Sequence, residues 1–186
     1  QSFKPTEGYR ASFNQKLPLY SESPSLVNGI DYSTYHSFSD NLIGSLRFHG
    51  RTISSLSSGE DVKLSERLSI PGKYLRGFEV GKIGPVDASD YIGGNYVTAL
   101  GFNAALPKLL PNLTNADVSL FLDTGNVWGI DYDTNIDESN KLRSAFGVSV
   151  DWFTPIGPLS FSFSEAITSA STDKPESFRF NIGTTF

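Results

Sequence analysis

The chain has 186 residues, one domain or part of one, with 14 Phe, 8 Tyr, 17 Gly and 10 Pro and a net charge of −5. This composition favours strands and turns over helices. The scattered Lys and Arg leave no basic stripe for nucleic acid, and the absence of cysteine excludes a disulfide framework, a thiolate metal site and a thiol nucleophile. No apolar run of about 18 residues encodes a membrane helix, and the first residues, QSFKPTEGYR, lack the cationic and apolar regions of a signal peptide. Whether the chain meets a membrane is therefore a question about strands.

In chain order, segments 9–19 and 26–38 alternate in polarity and are separated by SESPS at 21–25. After SFSDN at 37–41, NLIGSLRFHGR sets Leu42, Leu46 and Phe48 opposite Ser45, Arg47, His49 and Arg51. A long interruption covers about 57–92. Segments 95–106 and 116–128 follow, divided by PKLLPNLTNAD. RSAFGVSVDWF then places Phe146, Val148, Val150 and Trp152 on one face and Ala145, Gly147, Ser149 and Asp151 on the other. After the turn TPIGP, Leu159, Phe161 and Phe163 alternate with Ser160, Ser162 and Ser164. The last segment opposes Phe178, Phe180, Ile182 and Phe186 to Arg179, Asn181, Gly183 and Thr185.

These segments predict about eight antiparallel strands, each near the ~9–11 residues that cross a bilayer at a tilt. The apolar faces named carry no charged residue, which a soluble sandwich would also show, because its core face is apolar too. Two features favour a membrane barrel. The opposite face is rich in Ser, Gly and Asn, as a lumen lining is, and Tyr9, Trp152 and Phe186 fall at segment ends, where an aromatic girdle sits.

Chemistry is sparse. Asp123-Thr124-Gly125 is the tripeptide of aspartic proteases, but that reaction needs two carboxylates sharing a proton and the chain has one such tripeptide. A strand ending in a turn accounts for it. Asp123 alternates with Val118, Leu120 and Leu122, so it points to the polar face, where a carboxylate needs a cationic partner. DYDTNIDES imitates the front of a calcium loop but has Ile136 and Leu142 where that loop needs Gly and a bidentate Glu. A solvated acidic loop is the plainer account. Asn112-Leu113-Thr114 fits a glycosylation acceptor, a pattern common by chance. His36 and His49 lack a ligand cluster, and His49 lies with Arg47 and Arg51 as lining. No catalytic residue, metal site or cofactor is expected.

The interruption has two halves. SLSSGEDVKLSERLS is polar enough to be mobile, whereas IPGKYLRGFEVGKIGPVDASDYIGG has aromatics and spaced glycines suited to an ordered loop. An arginine in it, Arg76, could reach Asp123 in a charge-assisted pair, or remain exposed without a partner.

Leu75-Arg76-Gly77-Phe78 followed by Ile83-Gly84-Pro85 resembles the loop motif of the BamA family of outer-membrane assembly proteins. PTEGYR at 5–10, YIGGNYV at 91–97, FLDTGNVW at 121–128, WFTPIGPLSFSFSEAI at 152–167 and FRFNIGTTF at 178–186 are similar to that family's strand segments in the same order. The resemblance implies an all-β transmembrane antiparallel barrel, of which residues 1–186 would be the C-terminal half, about eight of sixteen strands. It implies that loop 57–92 folds into the lumen and that Arg76 binds a wall carboxylate at Asp123. The family often has a glutamate at the position matching Asn103, a second candidate partner, so one acid would be lost here. The final strand, with Phe178, Phe180, Ile182, a kink at Gly183 and a terminal signal at Phe186, would form one side of a lateral gate.

The implied function is an insertase that folds client barrels in the outer membrane of a Gram-negative bacterium, without being an enzyme. Its partners would be membrane lipid, client outer-membrane proteins, periplasmic accessory lipoproteins and the POTRA domains of a longer chain. A polypeptide-secreting pore of the same superfamily and a self-contained eight-stranded structural barrel are the alternatives. On this resemblance Phe186 is expected to be a true end and Gln1 a cut.

Overall fold

The computed structural model describes residues 5–18, 20, 22–112, 115–137 and 139–183. Its main sheet has eight antiparallel strands: β1 (Gly8–Lys16), β2 (Ser25–Ser39), β3 (Leu42–Ser55), β6 (Tyr96–Leu106), β7 (Ala116–Trp128), β8 (Arg143–Thr154), β9 (Gly157–Thr168) and β10 (Phe178–Ile182). The strands follow one another across the sheet in chain order, each antiparallel to the next. β2 and β3 turn at Asp40 and Asn41, and β8 and β9 turn at residues 155–156. The sheet is open: the outer edges of β1 and β10 have no strand partner among the described residues. Phe186 lies outside the described residues.

β3 and β6 pair side by side, from Ile43–Ala105 to Thr52–Tyr96, although residues 56–95 lie between them. That stretch carries a short 3-10 turn (Leu64–Glu66) and a small hairpin of β4 (Val86–Asp87) and β5 (Asp90–Tyr91). It packs on one face of the sheet. Ile70, Leu75, Phe78 and Ile83 from the loop join Val97 and Ala99 of β6, Val127 of β7 and Ala145 of β8 in a single apolar cluster. The expectation that its polar first half is mobile is corrected. Val62 is buried, its N–H donates to Asp131, and Glu66 accepts a hydrogen bond from Ser25 Oγ at 2.8 Å. Polar residues here make anchoring bonds, which composition alone does not reveal.

The two faces of the sheet are inverted relative to a soluble protein. Phe146, Trp152 and Phe163 are 52%, 43% and 56% exposed, while Ser149, Asp151 and Ser162 on the opposite face are buried. A sandwich core would bury the first set. Broad exposure of apolar side chains with burial of polar ones is the pattern of a barrel wall whose outer side meets hydrocarbon. Aromatic pairs run across this outer face: Phe161 with Phe180 and Phe163 with Phe178, each at 5.0 Å between ring centres, and Tyr96 with Trp128 at 5.6 Å. Glu165 shares the exposed face with Phe163 and Ile167, near the end of β9.

Candidate functional site

The loop is bonded to the sheet at Arg76. Asp123 alternates with the exposed Leu120 and Leu122 along β7, so its side chain projects from the polar face and is fully buried beneath the loop. Arg76 donates through Nε to Asp123 Oδ2 at 2.7 Å and through Nη2 to Oδ1 at 2.9 Å. Its backbone N–H adds a third bond to Oδ2 at 3.0 Å. The guanidinium lies 3.7 Å from the centre of the Phe121 ring, two residues earlier on the same face. A planar fork on a carboxylate, stacked on an aromatic and shielded from water, fixes orientation as well as position. The Asp-Thr-Gly stretch is uninterrupted strand, not a strand end, and Asp123 holds a cation.

Gly77 follows at φ +93°, in the left-handed region that favours glycine, and a Cβ there would collide with Ala145 Cβ of β8. That close approach lets Phe78, 1% exposed, sink into the apolar cluster. Gly84, at φ +97°, also lies close to the wall, though less so: a Cβ would stand 3.0 Å from Val127 Cβ. Ile83 and Pro85 on either side are buried. The six motif residues thus lie together, with Arg76 making the polar contact and Phe78, Ile83 and Pro85 the apolar ones.

Asn103 projects from β6 into the same small cavity of about 80 Å³ as Arg76, with Arg47, Asp151, Arg179 and Asn181 around it. The acid bonded to Arg76 is Asp123. On β10, Phe178, Phe180 and Ile182 face outward, while Gly183 follows at φ +120° with its N–H on Pro158 O at 2.8 Å.

Three further anchors involve residues that sequence reasoning left out of the site. Arg179 of β10 donates to Gly72 O at 2.8 Å, to Phe78 O, and to Glu176 Oε2 at 2.7 Å. Arg143, at the start of β8, and Asp173, in the β9–β10 connection, form a fully buried pair at 2.8 Å and 3.0 Å. Arg143 also donates to Asn126 Oδ1 and to the carbonyls of Ser139 and Lys141, so no donor is stranded. Arg67 binds Asp131 and, at 2.9 Å, Asn95 Oδ1. Alternation back from Ala145 would have placed Arg143 on the polar face, but nothing local identifies a partner 30 residues away.

The acidic loop after β7 is also put to structural use. Burial pushes the Asp131 carboxyl up, but the Val62 N–H, Arg67 and Asn95 together outweigh it and hold the group below the usual carboxylate range. Asp133 and Asp137 accept bonds from the backbone of Asn135 and Ser139, as turn residues do. His49 is stacked on Tyr74 of the loop at 4.2 Å and bonded to Asp31 at 2.6 Å, a lining contact. His36 bonds Glu7 near the edge strand. Among the described residues no three His, Cys, Asp or Glu side chains gather as a metal site.

Against known proteins, a family model described as the Omp85 superfamily domain matches residues 1–186. The outer membrane protein assembly factor BamA of Neisseria meningitidis serogroup B is 30% identical over 141 residues, covering 60% of this chain and 17% of that protein. The protein of the same name from Neorickettsia risticii is 29% identical over 132 residues, covering 69% of this chain and 18% of that one. Among solved structures, the crystal structure of BamA from Haemophilus ducreyi lacking POTRA domains 1–3 matches with a TM-score of 0.84 and 26% identity, over 97% of this chain and 39% of that chain. The chain therefore spans less than a fifth of these two curated relatives. An inverted antiparallel sheet with an arginine-pinned loop on its polar face, matched by the family model from end to end, belongs to the Omp85 superfamily.

Proposed function

We propose that the chain is the C-terminal half of a sixteen-stranded outer-membrane barrel and the catalytically inert wall of a BamA-like assembly factor. It sits in the outer membrane of a Gram-negative bacterium, with lipid against its exposed aromatic face. The loop of residues 56–95 lies in the lumen, and Arg76 on Asp123 keeps it there. β10 is one side of a lateral gate. It pairs with β9 over only five residues, Phe178–Ile182, and its outer edge offers backbone donors and acceptors to an incoming client strand. Such a factor lowers the barrier to insertion by templating strands; no covalent bond is made or broken. The remaining strands, POTRA domains and periplasmic lipoproteins belong to the longer assembly.

The observation that carries this reading is the Arg76–Asp123 clamp, which places a long polar loop against the wall that would line a pore. The curated relatives bear the name of an assembly factor, which favours insertion over polypeptide secretion. The test is complementation of a depleted strain with full-length protein carrying Arg76→Ala or Asp123→Asn, alongside folding of purified client barrels into vesicles that contain it. Loss of client insertion with normal accumulation of the variant supports the reading. Unchanged client insertion by both variants would sink it, and export of a soluble polypeptide with no effect on barrels would point to a secretion pore.

A further inference from the structure

The loop and the last strand are fastened to each other as well as to the wall. The backbone of residues 77–82 and that of 174–176 exchange hydrogen bonds: Glu176 N–H to Gly77 O at 2.9 Å, Glu79 N–H to Lys174 O at 2.9 Å, and Lys174 N–H to Lys82 O at 3.1 Å. Phe78 and Pro175 form an antiparallel bridge within this contact. Arg179 then closes it. Its Nε is held by Glu176, Nη1 by Gly72 O, and Nη2 by Phe78 O, so each guanidinium nitrogen is bonded at the junction of loop and strand. The side chain is only 10% exposed. The carbonyls it grips flank Arg76, Gly72 before it and Phe78 after it.

The two ends of β10 are held differently. Its N-terminal end is tied to the loop by Arg179 and the 174–176 contact. Towards its C-terminal end β10 is held by β9, with Asn181 opposite Ser160, Ile182 opposite Leu159 and the Gly183 N–H on Pro158 O. A strand with extra anchors at one end peels from the other.

We propose that Arg179 is a positioning residue that couples the loop anchor to the edge strand, so that Asp123, Arg76, Phe78 and Arg179 act as one linkage from β7 to β10. Releasing Arg76 then loosens β10, to which Arg76 makes no hydrogen bond among the described residues, and Arg179 is the conduit. The functional meaning rests on β10 being the gate strand; the linkage itself does not.

Hydrogen exchange of the full-length protein in nanodiscs tests the linkage without any client. Arg179→Gln is expected to raise exchange of the amides at 178–182 by about tenfold, the worth of a charge-assisted hydrogen bond, while β6 and β7 keep their protection. Arg76→Ala alone should also raise exchange at 178–182, and adding it to Arg179→Gln should raise it no further. Arg179→Lys keeps the charge but loses the three-way grip, and should fall between the wild type and Arg179→Gln. Effects of Arg76→Ala and Arg179→Gln that simply multiply would overturn the proposal, as would wild-type exchange at 178–182 in Arg179→Gln or equal loosening of β6 and β7. If exchange behaves as expected but clients still insert normally in all variants, the linkage stands and the gate reading fails.

Discussion

At the scale of single residues, the chain spends its charge on a few buried or shielded pairs. Removing one partner of such a pair leaves the other uncompensated, so Asp123→Asn should cost about 3–5 kcal/mol. The expected readout is new protease cleavage within 70–85 and a lower unfolding temperature in detergent. Wild-type protection in that variant would mean that the apolar cluster alone seats the loop. Arg76→Lys should fail to restore protection, because an ammonium cannot make the paired Nε and Nη2 contacts or stack on Phe121 as a plane. Gly77 gives a second, separable prediction. Gly77→Ala meets both the Ala145 Cβ and an unfavourable φ, and Ala145→Gly in the same chain removes only the first. The double variant should therefore recover part of the lost stability, with a remainder of about 1–2 kcal/mol from the left-handed backbone, measurable by chemical unfolding. Complete recovery would show that the clash was the whole cost.

Among elements, the long connection between β3 and β6 is legible in the sequence as an interruption but not as the ordered body it is. Its length and polarity suit a mobile segment, yet Asp131 reaches from the β7–β8 connection to bind the Val62 N–H and Arg67. That bond set makes a pH prediction with a definite sign. Asp131 titrates lower in the fold than its ordinary value, so its contribution is present above the usual carboxylate pKa of about 4 and is lost as pH falls through the lower folded value. The stretch 57–66 should be resistant to proteolysis at neutral pH and become sensitive on acidification. Asp131→Asn should be sensitive at both pH values, and equal resistance of variant and wild type at neutral pH would rule out the anchor. The strands themselves were far more legible. The period of two in 143–153 and 158–165 became β8 and β9 with the expected faces, and 116–128 became β7 at the same bounds. β1 is shorter than the alternation at 9–19 suggests, ending at Lys16 before Pro18.

For the whole molecule, the inverted faces predict the solution behaviour. Diluted from detergent into buffer, the protein should aggregate through its exposed aromatic face, whereas a soluble β domain would stay monomeric; sedimentation with and without detergent distinguishes them. The sequence by itself determined which residues share a face, because alternation along a strand is a local consequence of backbone geometry. The loop motif and strand segments were also enough to point to the family, since they are contiguous strings. Which face is buried was not determined, because a sandwich and a barrel wall carry the same binary pattern. Only the tertiary structure decided that Ser149 and Asp151 lie inside while Phe146 and Trp152 lie outside. It also decided the partners of Arg143, Arg67 and Arg179, residues whose acceptors lie up to 107 positions away in the chain. Those pairings follow from how the loop, the wall and the last strand meet in space, and separation along the chain carries no information about that meeting.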